Sequence, residues 1–228
     1  MRKPRARSAR PALEGHNKLT QELLFARHGN TFGPGDKVVW VGRETDLPLV
    51  EKGLEQAAAA AEALRRKGLV PDAIYCASLQ RTRRFAAIVA ETLGLAAPVV
   101  DHRLDELDYG SWAGRSNDEI LAADPAAAAA MEAWNSGDVW PASAGWVSKR
   151  ETVLAGLQSY AAERLAPGAH ARPLTVSSNG ILRFLPRLLL ETVAQLPSFK
   201  MRTGHLGLIE RDKGSAHLRT WDSSAEGF

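Results

Sequence analysis

Short apolar runs alternate with longer segments of helix-forming residues along most of the chain. Runs at 22–26, 72–76 and 174–177 predict buried strands. Segments at 51–67 and 79–93 predict helices, and Gly68 and Gly94 follow them as stop signals. Strands that alternate with helices in this way predict an α/β fold, a three-layer α/β/α sandwich around a mostly parallel sheet. Further strands are predicted at 99–104, 206–210 and 215–220, and further helices at 117–123, 125–134, 148–165 and 179–195.

Composition and charge add a basic tail to this globular pattern. The chain has 228 residues, of which 45% are hydrophobic and 24% charged, and its net charge is +3. The first ten residues alone carry more positive charge than this net value, so the body is slightly acidic. We therefore expect a disordered basic tail at 1–20 and a single domain at 21–228. The cationic residues of the tail are Arg2, Lys3, Arg5, Arg7 and Arg10.

The same composition limits the partners and the location that we expect. No apolar run approaches the ~18 residues that a membrane helix needs. The slightly acidic body does not favour a nucleic-acid partner. The single cysteine, Cys76, excludes an internal disulfide and a multi-cysteine metal site. A cytoplasmic protein that needs no metal or other cofactor fits these features.

The most informative motif is Arg27-His28-Gly29, which comes directly after the first predicted strand. The neutral imidazole of His28 is a nucleophile for phosphorus, and the planar fork of Arg27 suits phosphate oxygens. Gly29 lets the backbone approach a ligand closely. An ordinary surface loop would also fit this tripeptide taken alone, so other segments are needed to distinguish a surface loop from a phosphate site.

Three more polar segments follow strands or begin helices, at 77–82, 104–112 and 176–180. Loops at the carboxyl ends of parallel strands meet on one side of the sheet. An anion there would meet Arg27, Arg81 and helix N-termini. Glu106 lies in the third segment and has the chemistry to pass a proton to a leaving oxygen. This set of residues favours phosphoryl transfer through a phosphohistidine.

In their order and spacing, these segments resemble the histidine phosphatase superfamily, in the branch similar to cofactor-dependent phosphoglycerate mutase. The resemblance runs from about residue 22 to about residue 220 and implies the fold of that family. It is carried by Arg27-His28-Gly29, by 42–49 with the following Glu51-Lys52-Gly53, by Leu79-Gln80-Arg81-Thr82, and by Leu104-Asp105-Glu106 with Tyr109, Gly110 and Trp112.

The resemblance implies a role for each matching residue. His28 would accept the phosphoryl group, and Arg27 and Arg81 would hold its oxygens. Glu106 would act as the general acid for the leaving alcohol and then as the base for water. Neutral hydrogen bonds to phosphate or substrate would come from Asn30 and Thr31.

The chain departs from the family pattern after the late strand, where a second histidine is usual and Ser178 stands instead. Losing one preorganised donor to the transition state typically costs about 10²–10³ in rate. Three interpretations stay open. Backbone donors at Asn179 and Gly180 sustain a slower enzyme, a different histidine such as His205 compensates, or the protein retains only phosphate-ester binding.

The predicted function is a metal-independent phosphomonoester hydrolase for a small phosphorylated metabolite. A phosphate-binding regulatory module and a phosphoglycerate mutase-type phosphotransferase are the alternatives. A cysteine phosphatase is disfavoured, because Cys76 and Arg81 are one residue too close for its phosphate loop. The region 117–146 is the only candidate lid, with Trp134, Trp140 and Trp146 available to cover a substrate. The sequence indicates neither the substrate nor the oligomeric state.

Overall fold

A six-stranded sheet runs through the centre of the molecule. The computed structural model describes residues 20–141, 144–191, 198–212 and 214–228. The order of the strands across the sheet is β3-β2-β4-β1-β5-β6. The strands are β1 (Gln21–Arg27), β2 (Ala73–Cys76), β3 (Val99–Val100), β4 (Pro173–Ser177), β5 (Leu206–Asp212) and β6 (Ser215–Ser223).

Strand direction confirms the mostly parallel sheet. Strands β3, β2, β4 and β1 pair in parallel, whereas β5 is antiparallel to both of its neighbours. Arg27, the last residue of β1, is in register with Ser177, the last residue of β4. Cys76 at the end of β2 is in register with Val176. Three parallel strands therefore end at nearly the same level, and the segments that follow them share one edge.

Helices cover both faces of the sheet, which confirms the three layers. Side chains alternate along β1, so Leu24 and Ala26 pack in one core with residues of α1 and α2. Leu23 and Phe25 face the opposite core, which contains residues of α3 to α7. The helices are α1 (Glu51–Arg66), α2 (Gln80–Leu93), α3 (Asn117–Ala123), α4 (Ala127–Gly137), α5 (Arg150–Leu165), α6 (Asn179–Leu182) and α7 (Leu185–Leu189).

Two predicted elements differ in the structure. The strand predicted at 99–104 ends at Val100, because the Asp101 side chain accepts a hydrogen bond from the Arg103 amide and starts a 3-10 turn at His102–Leu104. The helix predicted at 179–195 is divided into α6 and α7. Pro186 lacks an amide hydrogen and its ring is incompatible with a helical carbonyl four residues earlier, at Leu182, where α6 ends. Residues 192–195 lie outside the described part of the chain.

The tryptophans of the candidate lid form an aromatic cluster with Trp40, Tyr109 and Trp112. Trp134 and Trp146 are buried, and their ring centroids lie 5.0 Å apart in an edge-to-face arrangement. Trp146 also packs against Tyr109, with ring centroids 4.8 Å apart. These two indoles are therefore part of the core, and the half-buried Trp40 and Trp140 pack at its margin.

Other expectations meet the structure only in part. The predicted tail at 1–20 lies outside the described residues, apart from Thr20. The assignment of 21–228 to a single domain stays a prediction. None of the helices in the described ranges is long and apolar enough to cross a membrane.

Candidate active site

His28 follows β1 directly and is 5% exposed. Its amide donates to the Ser177 carbonyl at 3.1 Å, which extends the β1–β4 pairing by one residue. Its Nδ1 lies 2.8 Å from the Gly29 carbonyl oxygen. Because a carbonyl only accepts, Nδ1 carries the hydrogen and Nε2 is left with a free lone pair. The local backbone thus sets the tautomer that a nucleophilic imidazole needs.

The charge state of His28 follows from its surroundings. Burial holds the pKa of His28 well below its ordinary value of 6.5, and the positive charges of Arg27 and Arg81 lower it further. The hydrogen bond with Gly29 opposes this shift only in part. The imidazole is therefore neutral at physiological pH.

Gly29 holds this turn against the start of α1. A Cβ atom at Gly29 would lie 2.4 Å from the Gly53 carbonyl oxygen, a distance that forces the backbone apart. Gly53 is equally constrained, since its own Cβ would lie 2.3 Å from the Asn30 carbonyl oxygen. The two glycines let β1 and α1 approach, and this contact fixes the position of His28.

Arg27 is held at the edge of the sheet by the loop before β5. Its Nη1 donates to the Met201 carbonyl at 2.8 Å, and its buried Nε has no hydrogen-bond partner within the described residues. Burial lowers the pKa of Arg27, while the Glu106 carboxylate opposes that shift. A guanidinium stays charged even after such a shift. Arg27 therefore presents a cation beside His28, offset in part by Glu106, with an Nε donor that lacks a partner among the described residues.

Arg81 lies in the first turn of α2 and is 1% exposed. Its Nη1 donates to the Thr45 carbonyl at 2.9 Å and its Nη2 to the Gly42 carbonyl at 3.4 Å. Burial lowers the pKa of Arg81, and the Glu106 carboxylate is the largest opposing influence. The loop at 42–46 therefore orients the second cation that acts on His28.

The loop that carries Glu106 is attached to the ends of two strands. The Ser177 hydroxyl donates to the Leu104 carbonyl at 2.7 Å, and the Ser78 amide donates to Asp105 Oδ1 at 2.7 Å. Glu106 itself is 5% exposed. Its Oε1 accepts from the Leu107 amide at 2.8 Å, so a backbone donor stabilises one of the two carboxylate oxygens.

Gly180 and Tyr109 complete the surroundings of Glu106. The Gly180 amide donates to Glu106 Oε2 at 3.3 Å. A Cβ at Gly180 would lie 2.2 Å from Glu106 Oε1 and 2.6 Å from the Tyr109 hydroxyl, so only glycine leaves room for the carboxylate. Burial raises the pKa of Tyr109 well above its ordinary value, and the charge of Glu106 and a hydrogen bond to it raise it further. Tyr109 is therefore a neutral hydrogen-bond donor.

Asn30 and Thr31 continue the chain along the edge of the site, and both are half-buried. The Asn30 amide donates to Gln56 Oε1 at 2.8 Å, and Asn30 Oδ1 accepts from the Thr203 hydroxyl. These contacts hold the Asn30 backbone and its side-chain oxygen, and the phosphate contacts predicted for Asn30 and Thr31 stay predictions.

Residues predicted from four separate segments thus lie together. The chain as a whole is similar to known proteins. A family model described as the histidine phosphatase superfamily (branch 1) matches residues 23–224. The chain belongs to the histidine phosphatase superfamily. The predicted family and the predicted fold are both confirmed by this match.

Individual relatives of this histidine phosphatase include a mutase and phosphatases. A 2,3-bisphosphoglycerate-dependent phosphoglycerate mutase from Methylobacterium radiotolerans is 33% identical over 189 residues, which are 80% of this chain and 85% of the mutase. A mycobacterial glucosyl-3-phosphoglycerate phosphatase, solved in complex with VO3, is 28% identical with a TM-score of 0.73, over 90% of this chain and 100% of that one. The alpha-ribazole phosphatase from Shigella flexneri is 20% identical with a TM-score of 0.68, over 89% and 96% of the two chains, and shows the shared fold alone.

Ser178 occupies the position where the resemblance places a second histidine. It is 1% exposed and stands at the N-cap of α6, but its hydroxyl makes no capping hydrogen bond. Its Oγ is buried without a partner in the described structure. The Oδ1 atom of Asn179 accepts from the Met201 amide at 2.8 Å, and the predicted role of the Asn179 backbone as a phosphate donor stays a prediction. The Gly180 amide, also predicted as a phosphate donor, is directed to Glu106.

His205 lies beside Arg27 at the edge of the sheet in this histidine phosphatase, but its imidazole contacts Asp222. Its carbonyl accepts from the Arg27 amide at 3.1 Å, as its place before β5 predicts. Its Nδ1, however, lies 2.8 Å from the Asp222 carbonyl oxygen and 2.9 Å from Asp222 Oδ1, on β6. The imidazole is thus oriented by Asp222, and its compensating role stays a prediction.

Sequence reasoning missed Arg183, a fully buried cation five residues after Ser178. Its guanidinium lies 3.9 Å from the centroid of the Trp134 ring, and its Nη1 lies 3.2 Å from Asp138 Oδ1. The available signal was a cation inside the apolar run 181–185. A charge in such a run needs a buried partner, although the sequence does not reveal which one.

Cys76 is not a competing nucleophile. It is buried at the end of β2, and burial raises its pKa to about 11. The thiolate that attacks in cysteine phosphatases is therefore scarce here.

Proposed function

We propose that this histidine phosphatase hydrolyses phosphomonoesters through a phosphohistidine formed on His28. The observation that carries the proposal is the buried neutral imidazole, whose Nδ1 is engaged by Gly29 and whose pKa is lowered by burial and by Arg27 and Arg81. This combination leaves Nε2 nucleophilic and surrounds it with cations that suit a phosphate dianion.

In the first step, the Nε2 lone pair of His28 forms a bond to phosphorus while the ester P–O bond breaks. The leaving oxygen takes a proton from the Glu106 carboxyl group and departs as an alcohol. In the second step, water attacks phosphorus as the Glu106 carboxylate takes its proton. The N–P bond then breaks and returns its electron pair to Nε2, so that phosphate is released and both residues are restored.

Arg27 and Arg81 stabilise the charge on the phosphoryl oxygens in both steps. Each guanidinium is held by a backbone carbonyl, on Met201 and Thr45 respectively, so little reorganisation is needed when the anion arrives. Asn30 and Thr31 contribute neutral hydrogen bonds at the edge of the same site. We also propose a cytoplasmic location, on the ground of the single buried cysteine.

Turnover by His28 variants tests this mechanism. Purified wild type and His28→Ala are compared on p-nitrophenyl phosphate and on a panel of small phosphorylated metabolites, with His217→Ala, an exposed histidine on β6, as the matched control. We expect His28→Ala to lose turnover while it stays folded and His217→Ala to keep it. Rapid base quenching followed by mass spectrometry should detect an acid-labile phosphoryl group on the peptide that contains His28. Unchanged turnover in His28→Ala would reject the mechanism.

Two other functions give different results in the same experiment. The mutase from Methylobacterium radiotolerans favours a phosphotransferase, which would interconvert phosphoglycerates faster than it released phosphate. The unpartnered Ser178 hydroxyl favours a phosphate-binding module, which would bind phosphate with neither turnover nor a phosphohistidine.

A further inference from the structure

Three buried polar atoms, on β1 and at the two ends of α6, have no hydrogen-bond partner within the described residues. They are Arg27 Nε, Ser178 Oγ and Arg183 Nη2. A buried donor left without a partner typically costs about 1–3 kcal/mol, so each of these atoms is a place where a ligand would complete the hydrogen bonding. Arg27 precedes His28 on β1, and Ser178 follows Ser177, the β4 residue in register with Arg27. Arg183 lies further along, at the end of α6.

The Arg183 side chain turns back toward the beginning of α6. It stands at the C-cap of that helix, yet its Nε donates to the Asn179 carbonyl at 3.3 Å. Its Nη1 donates to the Trp134 carbonyl at 2.5 Å and lies 3.2 Å from Asp138 Oδ1. Two of the three guanidinium nitrogens are thus held by the protein, and Nη2 is the one left for a ligand.

A short chain of hydrogen bonds joins Arg183 to the phosphate-binding arginine. Asn179, which accepts from Arg183 through its carbonyl, also accepts from the Met201 amide through Oδ1 at 2.8 Å. The Met201 carbonyl in turn accepts from Arg27 Nη1 at 2.8 Å. The two guanidinium groups therefore lie on either side of the Asn179–Met201 contact.

Electrostatic influences agree with this placement. The charge of Arg183 contributes to the lowered pKa of Arg27. Burial lowers the pKa of Arg183, and after Asp138 the groups that oppose this shift are Tyr109 and Glu106. The guanidinium thus lies close enough to feel the acid–base pair and the phosphate-binding cation together.

We propose that Arg183 Nη2 supplies the charged hydrogen bond to the phosphoryl oxygens that the family histidine would supply at residue 178. This inference rests on the proposed phosphohistidine mechanism. Serine is shorter than histidine, and Arg183 is the buried cation of the same short helical segment. Arg183 makes and breaks no covalent bond in this role, but stabilises charge on the phosphoryl group as it moves to and from Nε2.

A double-mutant cycle separates this role from a structural one. We expect Arg183→Gln to lower kcat/KM by about 10²- to 10³-fold in the wild-type background, the usual effect of losing one preorganised donor. In the Ser178→His background the same substitution should cost less than about tenfold, because the introduced imidazole replaces the missing donor. Equal losses in the two backgrounds would refute the proposal, since a purely structural contact does not depend on residue 178.

Arg187→Gln is the matched control. Arg187 donates to the same buried Asp138, at 3.0 Å, but its side chain is 34% exposed. Removing it deletes one cation from the same carboxylate, so we expect a loss of stability with kcat/KM within about threefold of wild type. A loss as large as that of Arg183→Gln would assign both effects to the Asp138 ion pair and overturn the proposal.

The pH profile provides a second readout. A guanidinium does not titrate, whereas the imidazole introduced by Ser178→His donates from both nitrogens only when protonated. The Ser178→His, Arg183→Gln double variant should therefore lose activity as pH rises through the pKa of the introduced imidazole, and wild type should not show this loss. Identical profiles would contradict the exchange of donors.

Two further arms keep the outcomes distinct. If Arg183→Gln does not fold, Arg183→Lys replaces it, because the single ammonium nitrogen can retain the Asp138 contact but leaves no second nitrogen for the ligand. We expect the same large loss of kcat/KM in the wild-type background and the same smaller loss in the Ser178→His background. His28→Ala is measured in parallel: if it keeps turnover, the phosphohistidine mechanism itself fails, whereas lost turnover with an additive cycle rejects the role of Arg183 alone.

Discussion

Replacing His28 by glutamine should change how the stability of the protein depends on pH. The native imidazole is 5% exposed and its pKa is well below 6.5, whereas in the unfolded chain it titrates near 6.5. The unfolded state therefore binds a proton that the native state excludes as pH falls below that value. The stability associated with the neutral imidazole is complete above the unfolded pKa and is lost on acidification.

The size of this loss follows from the linkage between protons and folding. One proton taken up only by the unfolded state costs about 1.4 kcal/mol for each pH unit below about 6.5. Acidification from about pH 7.5 to about pH 5 should thus cost about 2 kcal/mol through His28, provided that the native imidazole stays neutral. His28→Gln removes this contribution. Any packing defect of the glutamine shifts the stability equally at both pH values, so the difference between them isolates the titration.

Urea denaturation at the two pH values measures the effect. The control is His217→Gln, because His217 is exposed on β6. We expect the pH-dependent loss of unfolding free energy to be about 2 kcal/mol smaller in His28→Gln than in wild type, and unchanged in the control. If His28→Gln loses as much stability on acidification as wild type, the imidazole is not held neutral and the electrostatic basis of the nucleophile is wrong.

Two other substitutions test the acid and the cations of the site. Gly180→Ala places a Cβ 2.2 Å from Glu106 Oε1 and should displace the carboxylate. Turnover of an alkyl phosphate should then fall about 10²- to 10⁴-fold, because its leaving oxygen needs a proton from an acid. Turnover of p-nitrophenyl phosphate should fall much less, because its leaving group needs little help from an acid. Gly156→Ala is the control, because its new Cβ would make only ordinary contacts at 3.8 Å, and it should keep turnover of both substrates. If Gly180→Ala lost equal turnover on the two substrates, the role of Glu106 as an acid would be contradicted. Arg81→Gln should raise the pKa of His28, measured by NMR titration of the imidazole, because it removes a positive charge that lowers that pKa. Arg83 is exposed, so Arg83→Gln should leave the pKa of His28 unchanged. If wild type, Arg81→Gln and Arg83→Gln all had the same His28 pKa, Arg81 would not act on His28.

Much of the fold and the core of the candidate site could be predicted from local sequence. The apolar run 22–26 predicts a buried strand, and its abrupt end at Arg27-His28-Gly29 predicts where the chemistry lies. Helix stop signals at Gly68 and Gly94 separate the alternating elements that specify a parallel sheet. That inference brings Arg81 to His28 and Glu106 to Arg81, although the three residues lie far apart in sequence.

The errors concern contacts between distant segments. The sequence shows Pro186 but not that its ring would end α6 and leave Arg183 to turn back over Asn179. It shows a cation in an apolar run but not its partner, Asp138, which lies on a different helix terminus. The sequence places His205 directly before β5, but only the β5–β6 pairing reveals that Asp222 holds its imidazole.

One electrostatic arrangement accounts for both binding and nucleophilicity in the proposed mechanism. Arg27 and Arg81 both place positive charge near one imidazole, and the Glu106 carboxylate offsets part of that charge. Burial and the same positive potential that attracts a phosphate dianion disfavour protonation of Nε2, so the nucleophile is free when the phosphate arrives. A substitution that removed one of these positive charges would therefore weaken phosphate binding and let the imidazole take up a proton. Both effects would lower the rate, so in the proposed mechanism the same two arginines serve phosphate binding and the free lone pair of Nε2.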